Sequence, residues 1–453
     1  VTKRINLIDG EIVPSLIRLA LPIMGTSFLQ MAYNMTDMLW LGRVGSSAVA
    51  AVGTAGFFIM FANSLVMICK AGAEIKVAQS IGKGRENETR LYIVNSIQVN
   101  IILSIIYSTI ILMLNKQLIS FFRLGESGVV NMAEEYLIIM ALGMIFTFIN
   151  PVLTAIFNGA GNSKTPFFIN TLGLIFNIVA DPILIFGVGP FPVMGVKGAA
   201  IATVMAQAVV TLCFIAEIKK SKESFFKFTL LQKIHWNYVK KISKIGMPVA
   251  LQSGLFTVFG MFIGRIIAVW GEVPIAVQKV GTQIEAITWM TAGGFSTALG
   301  TFVGQNYGAK KYDRIFKGYK ATMGLAIAVG AITTILLIVG GEFIFSLFIP
   351  EAEAIMLGKD YLRILAYSQL FMCIEITTSG AFNGLGKTLI PSVVSVIFTG
   401  LRVPAAYILS SENLLGLNGV WWSISLSSVF KGVILTSIFV YYMKKKKEKL
   451  FRK

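Results

Sequence analysis

Runs of about twenty to thirty apolar positions alternate with short breaks rich in Gly, Pro, Lys or Arg from one end of the chain to the other. Read as one membrane crossing each, they predict twelve spans. These lie near 13–41, 47–80, 90–114, 131–157, 166–188 and 196–218, then 241–270, 274–306, 315–340, 354–382, 388–410 and 417–443. The runs are too long and too evenly apolar for barrel strands, which would alternate over short segments, so the spans are helices.

Composition agrees. Of 453 residues 55% are hydrophobic and 14% charged. The net charge of +18 would suit nucleic acid in a soluble chain, but here it sorts by loop. Alternate loops hold Lys83, Arg85 and Arg90, the 219–244 cluster, the 310–320 cluster and the tail KKKKEKLFRK, against only Arg43, Lys116, Arg123, Lys197, Lys359 and Arg363 on the other side. Basic loops face the cytoplasm. Both termini are therefore expected inside a plasma (inner) membrane, with the excess charge meeting anionic lipid and no nucleic acid as partner. Cys69, Cys213 and Cys373 sit in apolar runs and His235 is the only histidine. A disulfide framework, a His-based metal site and a Ser/His/Asp enzyme are thus set aside. The polar stretch 1–10 before a long first run predicts a retained span, not a cleaved leader.

The chain repeats itself. LALP (19–22) matches IGMP (245–248), AQSIGKG (78–84) parallels GQNYGAK (304–310), AIFNGAGNSKTP (155–166) parallels GAFNGLGKTLIP (380–391), and GVKGAA (195–200) parallels GLNGVW (416–421). Offsets of about 225 residues predict two six-helix halves of one orientation, 1–225 with a cation site and 226–453. The expected fold class is an all-α integral membrane protein with twelve transmembrane helices in two pseudo-symmetric bundles.

Charges at membrane depth cost about 2.5 to 3.5 kcal/mol each on insertion scales, so they mark chemistry. Thr26, Gln30, Tyr33, Asn34 and Asp37 form one polar stripe at helical spacing, which suits a water-facing site or an interhelical seam. Asn177 and Asp181 stand four apart, and Pro182 removes the donor that the Ile178 carbonyl would use while biasing Asp181 away from helix. Gathered oxygens of this kind suit H⁺ or a hard cation such as Na⁺, bound at Asp37, Asn177 and Asp181; the alternative is a simple kink with a paired acid. The second half lacks these acids: Arg402 and Ala406 stand where Asn177 and Asp181 do. Its own polar set, Arg265, Lys279, Gln283, Glu285, Glu375 and Arg402, reads as mutual ion pairs or as substrate contacts. Lys70 and Glu74 read as a structural pair. Met31, Met60, Asn63 and Asn158, with Gln30, Tyr33, Asn34 and Gln283, are the expected substrate-cavity lining, methionines being adaptable. GAGNSK (159–164) lacks phosphate-loop spacing and is a turn; His235-Trp236 is an interfacial anchor; Gly25, Gly53, Gly56 and Gly72 are expected at close helix contacts.

The stretches LALPIMGTSFLQMAYNMTDMLWLGRVGSSAVAAVG, AIFNGAGNSKTP, NIVADPILIFG and GVKGAAIAT, with FNGLGKT and RVPAAY in the second half, resemble the multidrug and toxic compound extrusion (MATE) transporters over essentially the whole chain. The resemblance implies two bundles around a V-shaped cavity and export of organic cations or other amphipathic compounds against inward H⁺ or Na⁺. By it Asp37, Asn177, Asp181 and Thr203 are the cation-coupling residues. The seventh span has no acid, which makes the chain more similar to the DinF-type branch. The expected protein is a monomeric secondary antiporter, not an enzyme, without a cofactor beyond its coupling ion. A flippase for lipid-linked sugars is the alternative, which a cavity rich in basic residues would favour.

Overall fold

A computed structural model describes residues 4–122 and 127–451, with side chains from 446 onward and at 127 excepted. Arg123 and the last residues of the basic tail lie outside the described residues. Thirteen α-helices follow in order among them: α1 (Ile12–Val44), α2 (Ser46–Gly82), α3 (Glu86–Ser120), α4 (Ser127–Leu142), α5 (Met144–Gly159), α6 (Lys164–Phe186), α7 (Val196–Lys220), α8 (Trp236–Ala268), α9 (Glu272–Gly308), α10 (Tyr312–Ser346), α11 (Ala352–Gly384), α12 (Leu389–Leu409) and α13 (Leu417–Phe451). Helices α4 and α5 bend by 52° at Gly143 and together form one span, which leaves the twelve expected. A side chain at Gly143 would run into Val204 of α7, so the bend is set by a neighbour that sequence spacing does not reveal. Nine helices pass a hydropathy test for spanning among the described residues. Helices α9 and α11 do not, and they carry Lys279, Glu285, Lys359, Arg363 and Glu375.

The repeat appears as geometry. After α5, Gly161 takes φ 83°, with its N–H on Asn158 O and that of Asn162 on Phe157 O; after α11, Gly386 takes φ 73°, with Gly386 N–H on Asn383 O and Lys387 N–H on Phe382 O. Only glycine enters that left-handed region without strain, which explains FNGxG in both halves. Gly198 of α7 seats against the Leu184 carbonyl, and Gly419 of α13 against that of Leu409 in the same way.

The helices fall into two compact units. Unit 1 holds Leu21–Ala250 with the first residues through Ile5; unit 2 holds Asn6–Ala20 with Leu251 onward. A division at 225/226 was expected from the repeat, but the first half of α8 packs in unit 1. Gly72 lies against the Ile242 carbonyl and Gly246 against that of Ile68, closer than any Cβ allows. Helix α8 also starts at Trp236, so Lys240, Lys241 and Lys244, expected in a loop, lie on its first turns. Conversely, the segment from Asn6 to Ala20 is bound within unit 2, where Asn306 Nδ2 donates to Leu7 O at 3.0 Å, Arg314 Nη2 donates to Gly10 O at 2.6 Å and Lys311 pairs with Asp9. Lys311 holds the exposed Asp9 carboxyl below the usual aspartate range. Gly25 meets Phe167 as a close contact, whereas Gly53 and Gly56 have nothing within 4 Å.

Unit 2 contains a buried ionic network. Lys431 Nζ of α13 pairs with Glu375 Oε2 of α11 at 3.0 Å, both side chains under a tenth exposed. Arg402 of α12 donates to Ser427 and, at 3.0 Å, to Ser428 Oγ. Trp421 Nε1 donates to Gln278 Oε1 at 3.1 Å, and Gln278 Nε2 reaches Tyr361 Oη at 3.4 Å. Glu375 is therefore ion-paired, but with Lys431, which lies outside the set expected to pair mutually; no ion pair among the described residues joins two members of that set, and Glu285 Oε1 is buried without a hydrogen bond. Arg265 and Lys279 instead lie exposed.

Two outcomes follow for stability in detergent. Gly246→Val is expected to cost at least about 1 to 3 kcal/mol, read as a lower Tm, because backbone blocks the added atoms, while Gly53→Ala leaves Tm unchanged or raised. Glu375→Gln or Lys431→Met alone should each cost about 3 to 5 kcal/mol, and the double variant should recover more than half of it.

Candidate functional site

On α1 of unit 1, Thr26 bonds back to Pro22 O at 2.9 Å, which uses up its hydroxyl, while Gln30 and Tyr33 turn toward α6 and α7. With Asn170 of α6 and Gln207 of α7 they line a small open cleft of about 20 Å³. Behind Gln207 the polar side is satisfied: Asn150 Nδ2 donates to Gln207 Oε1 at 2.7 Å and Thr211 Oγ1 to Asn150 Oδ1 at 2.7 Å.

One turn further along α1 the accounting changes. Asn177 and Asp181 are fully buried, both at 0% exposure. Asn177 Nδ2 donates to Asp181 Oδ1 at 3.0 Å, as residues four apart on a helix can. Asp37 lies within interaction range of Asp181, Asn177 and Thr203, and Tyr33 within range of Asp37, Thr203 and Asp181. Asp37 stands within hydrogen-bonding reach of Asp181, Asn177 and Thr203, and Tyr33 of Thr203, yet five oxygens of the group lack a well-aligned bond. Tyr33 Oη, Asp37 Oδ1, Asn177 Oδ1, Asp181 Oδ2 and Thr203 Oγ1 are all buried without a hydrogen-bond partner. Leaving such an atom unmade costs about 1 to 3 kcal/mol, more when charged, so five in one place are expensive. No ion pair among the described residues involves Asp37 or Asp181. Two carboxyls with amide and hydroxyl oxygens and no basic partner form an all-oxygen set for a proton or a small hard cation.

Helix α6 carries Asp181 without the break expected at Pro182. It stays helical to Phe186, and Gly187 at φ 71° ends it, its N–H on Ile183 O. The helix end then lies so close to Pro182 that losing one rung is cheap.

Of the other residues singled out, Met60, Asn63 and Asn34 are exposed, and Met31 is half-buried, on α1 and α2. Gln30 and Asn34 touch weakly at 3.5 Å. Asn158 is buried in the last turn of α5 and is not among the groups acting on Asp37 or Asp181. Gln283 is exposed on α9 of unit 2. Lys70 and Glu74 form no ion pair; the Glu74 Oε1 oxygen is buried and unpartnered, with Lys70 acting on it only at longer range. Tyr136 of α4 was not anticipated. It is buried within electrostatic range of both Asp37 and Asp181. The spacing of Ala133, Tyr136, Leu137 and Met140, all buried, is the inward stripe that would have pointed to it. Gln207 belongs to a similar missed stripe, Thr203, Gln207 and Thr211 at intervals of four.

Comparison with known proteins accords with this arrangement. The MatE family model matches the chain twice, over residues 22–183 and 246–408. A probable multidrug resistance protein NorM of Thermotoga maritima is 28% identical over 431 residues, covering 95% of this chain and 92% of that one. The Bacillus subtilis probable multidrug resistance protein YoeA is 26% identical over 428 residues, covering 93% and 91%. Among solved structures, a MATE transporter in its bent conformation superposes with a TM-score of 0.91 at 23% identity, covering 99% of both chains. A Pyrococcus furiosus transporter of the MOP superfamily, described as having a binding pocket of reverse polarity, gives 0.87 at 25% identity, covering 99% of both chains. With one match on each six-helix half, the chain belongs to the MatE family of multi-pass membrane transporters, which are not enzymes.

Proposed function

We propose that this transporter is a secondary antiporter that exports cationic or amphipathic small molecules in exchange for inward H⁺ or Na⁺. The multidrug resistance names of its relatives support the cargo class. The observation that carries the coupling is the set of five unpartnered buried oxygens around Asp37 and Asp181. An entering cation satisfies them, and its absence leaves them as the attractive surface for a positively charged cargo. Gln30, Tyr33, Asn170 and Gln207 line the adjoining pocket, so cargo and ion share Tyr33. Each net inward charge supplies about 2.3 kcal/mol per 100 mV, enough for a roughly fortyfold gradient of an uncharged cargo, whereas one-for-one exchange with a monovalent cationic cargo is electroneutral and draws on the ion's concentration gradient alone. Placing the basic ends in the cytoplasm of the plasma membrane gives the inward direction its meaning. Asn158 drops out of the lining. Exposed Arg265 and Lys279 are the feature that favours the lipid-linked sugar flippase instead.

Reconstituted protein should expel a cationic dye under an imposed pH or Na⁺ gradient. Asp37→Asn and Asp181→Asn should each lower dye-driven ion counterflow at least about tenfold while Tm stays level or rises, since each removes an unpaired buried charge. Retained coupling in both, or movement of lipid-linked sugar without dye, sinks the reading. Na⁺ at about a hundred times its Kd should stabilise the wild type by about 2.7 kcal/mol, and not Asp181→Asn, if Na⁺ is the ion; no shift leaves H⁺.

A further inference from the structure

A second cluster sits in unit 1, where the ends of α2 and α3 meet the start of α8. Lys76 Nζ is held by Gln79 Oε1 at 3.3 Å and stands 6.0 Å over the Tyr92 ring. Lys241 stands 5.3 Å over the Tyr238 ring, and the two tyrosines meet edge to face at 4.8 Å. Lys83 and Lys244 lie within electrostatic range of Lys76, as does Lys241. Glu88 is the acid nearby, and it is engaged by Lys83 at 3.8 Å and Arg85 at 3.4 Å. Four ammonium groups brought together on a two-tyrosine platform repel one another unless an anion lies over them.

The segment leading into α8 adds an independent observation. Gln98 Nε2 donates to Leu230 O at 2.8 Å and to Gln232 O at 2.7 Å, and the His235 N–H donates to Asn95 Oδ1 at 2.7 Å. These bonds fix the backbone on both sides of Leu231, yet Leu231 is 97% exposed and Trp236 is 72% exposed. A loop fixed so as to hold a leucine and a tryptophan outward, beside a basic cluster, has the chemistry of a membrane interface: apolar groups enter the acyl region and ammonium groups meet phosphate. Trp236, Lys240 and Lys244 follow at intervals of four along α8 and so share one face.

We propose that this end of unit 1 is a binding site for the headgroup of an anionic phospholipid, with Lys76, Lys83, Lys241 and Lys244 around the phosphate and Leu231 and Trp236 inserted beside it. The site is independent of the Asp37–Asp181 group and of which ion is coupled. The full-length protein in neutral detergent, titrated with phosphatidylglycerol, should gain thermal stability, whereas phosphatidylcholine should add little. Lys241→Gln/Lys244→Gln should weaken the phosphatidylglycerol response about tenfold, and so should raising NaCl from about 0.05 to about 0.5 M in the wild type. A fluorophore on Leu231→Cys, in a Cys213→Ser background, should be quenched by doxyl-labelled phosphatidylglycerol in vesicles. Equal responses to both lipids, indifference of the response to salt and to the lysines, a water-exposed fluorophore, or the same stabilisation by inorganic phosphate would each overturn the lipid site. The salt dependence keeps the test decisive if the double variant does not fold.

Discussion

Hydrocarbon offers no hydrogen bonds, and this one constraint orders the molecule. Every backbone group inside the membrane must find a partner within its own helix, so the chain can be little other than helices joined at breaks. Association between helices then depends on close packing, since oil is no worse a neighbour for leucine than another leucine. Glycines therefore mark the tightest seams: Gly72 and Gly246 between α2 and α8, Gly198 between α6 and α7, and Gly419 between α12 and α13. The same constraint gives meaning to exceptions. Many hydroxyls at depth are discharged on a carbonyl one turn back, as those of Thr26, Thr36 and Thr54 are. The group at Tyr33, Asp37, Asn177, Asp181 and Thr203 is not.

The two units meet that rule in opposite ways. Unit 2 brings its own counter-charges: Lys431 closes on Glu375, and Arg402 is held by two serines. Arg402 occupies the repeat position of Asn177, so a permanent cation stands on one side of the duplication where the other keeps a neutral amide beside an acid. The divergence leaves Glu375 paired in unit 2 and both Asp37 and Asp181 without an ion pair in unit 1, although Glu285 of unit 2 also keeps a buried oxygen without a hydrogen bond.

Much of the fold could be read from the chain because crossing a bilayer imposes one length and one composition on each element. All twelve spans fall on helices, with ends displaced by several residues at most. The failures have particular causes. The bend at Gly143 comes from Val204 across the bundle, not from a local breaker. Helix α8 begins earlier than expected because Lys240, Lys241 and Lys244 look like loop residues, while between them Tyr238 meets Tyr92 of α3 and Ile242 meets Gly72 of α2. At the candidate site, Asn177 and Asp181 were legible because helical spacing of four joins them, and Thr203 because of the family resemblance. Tyr136, behind Glu134 and Glu135, and Lys431, alone in an apolar run, were not legible, since each acquires its role from another helix. Asn158 was misplaced because a polar residue in a turn and one facing a cavity look alike in a string of letters.

Helices α1 and α8 each begin in one unit and end in the other. The compact units therefore do not coincide with the sequence repeats, since residues 6–20 pack within unit 2 and 236–250 within unit 1. Severing the chain in the 221–235 connection would leave 236–250 on the fragment that does not contain its packing partners, and 6–20 stranded likewise on the other.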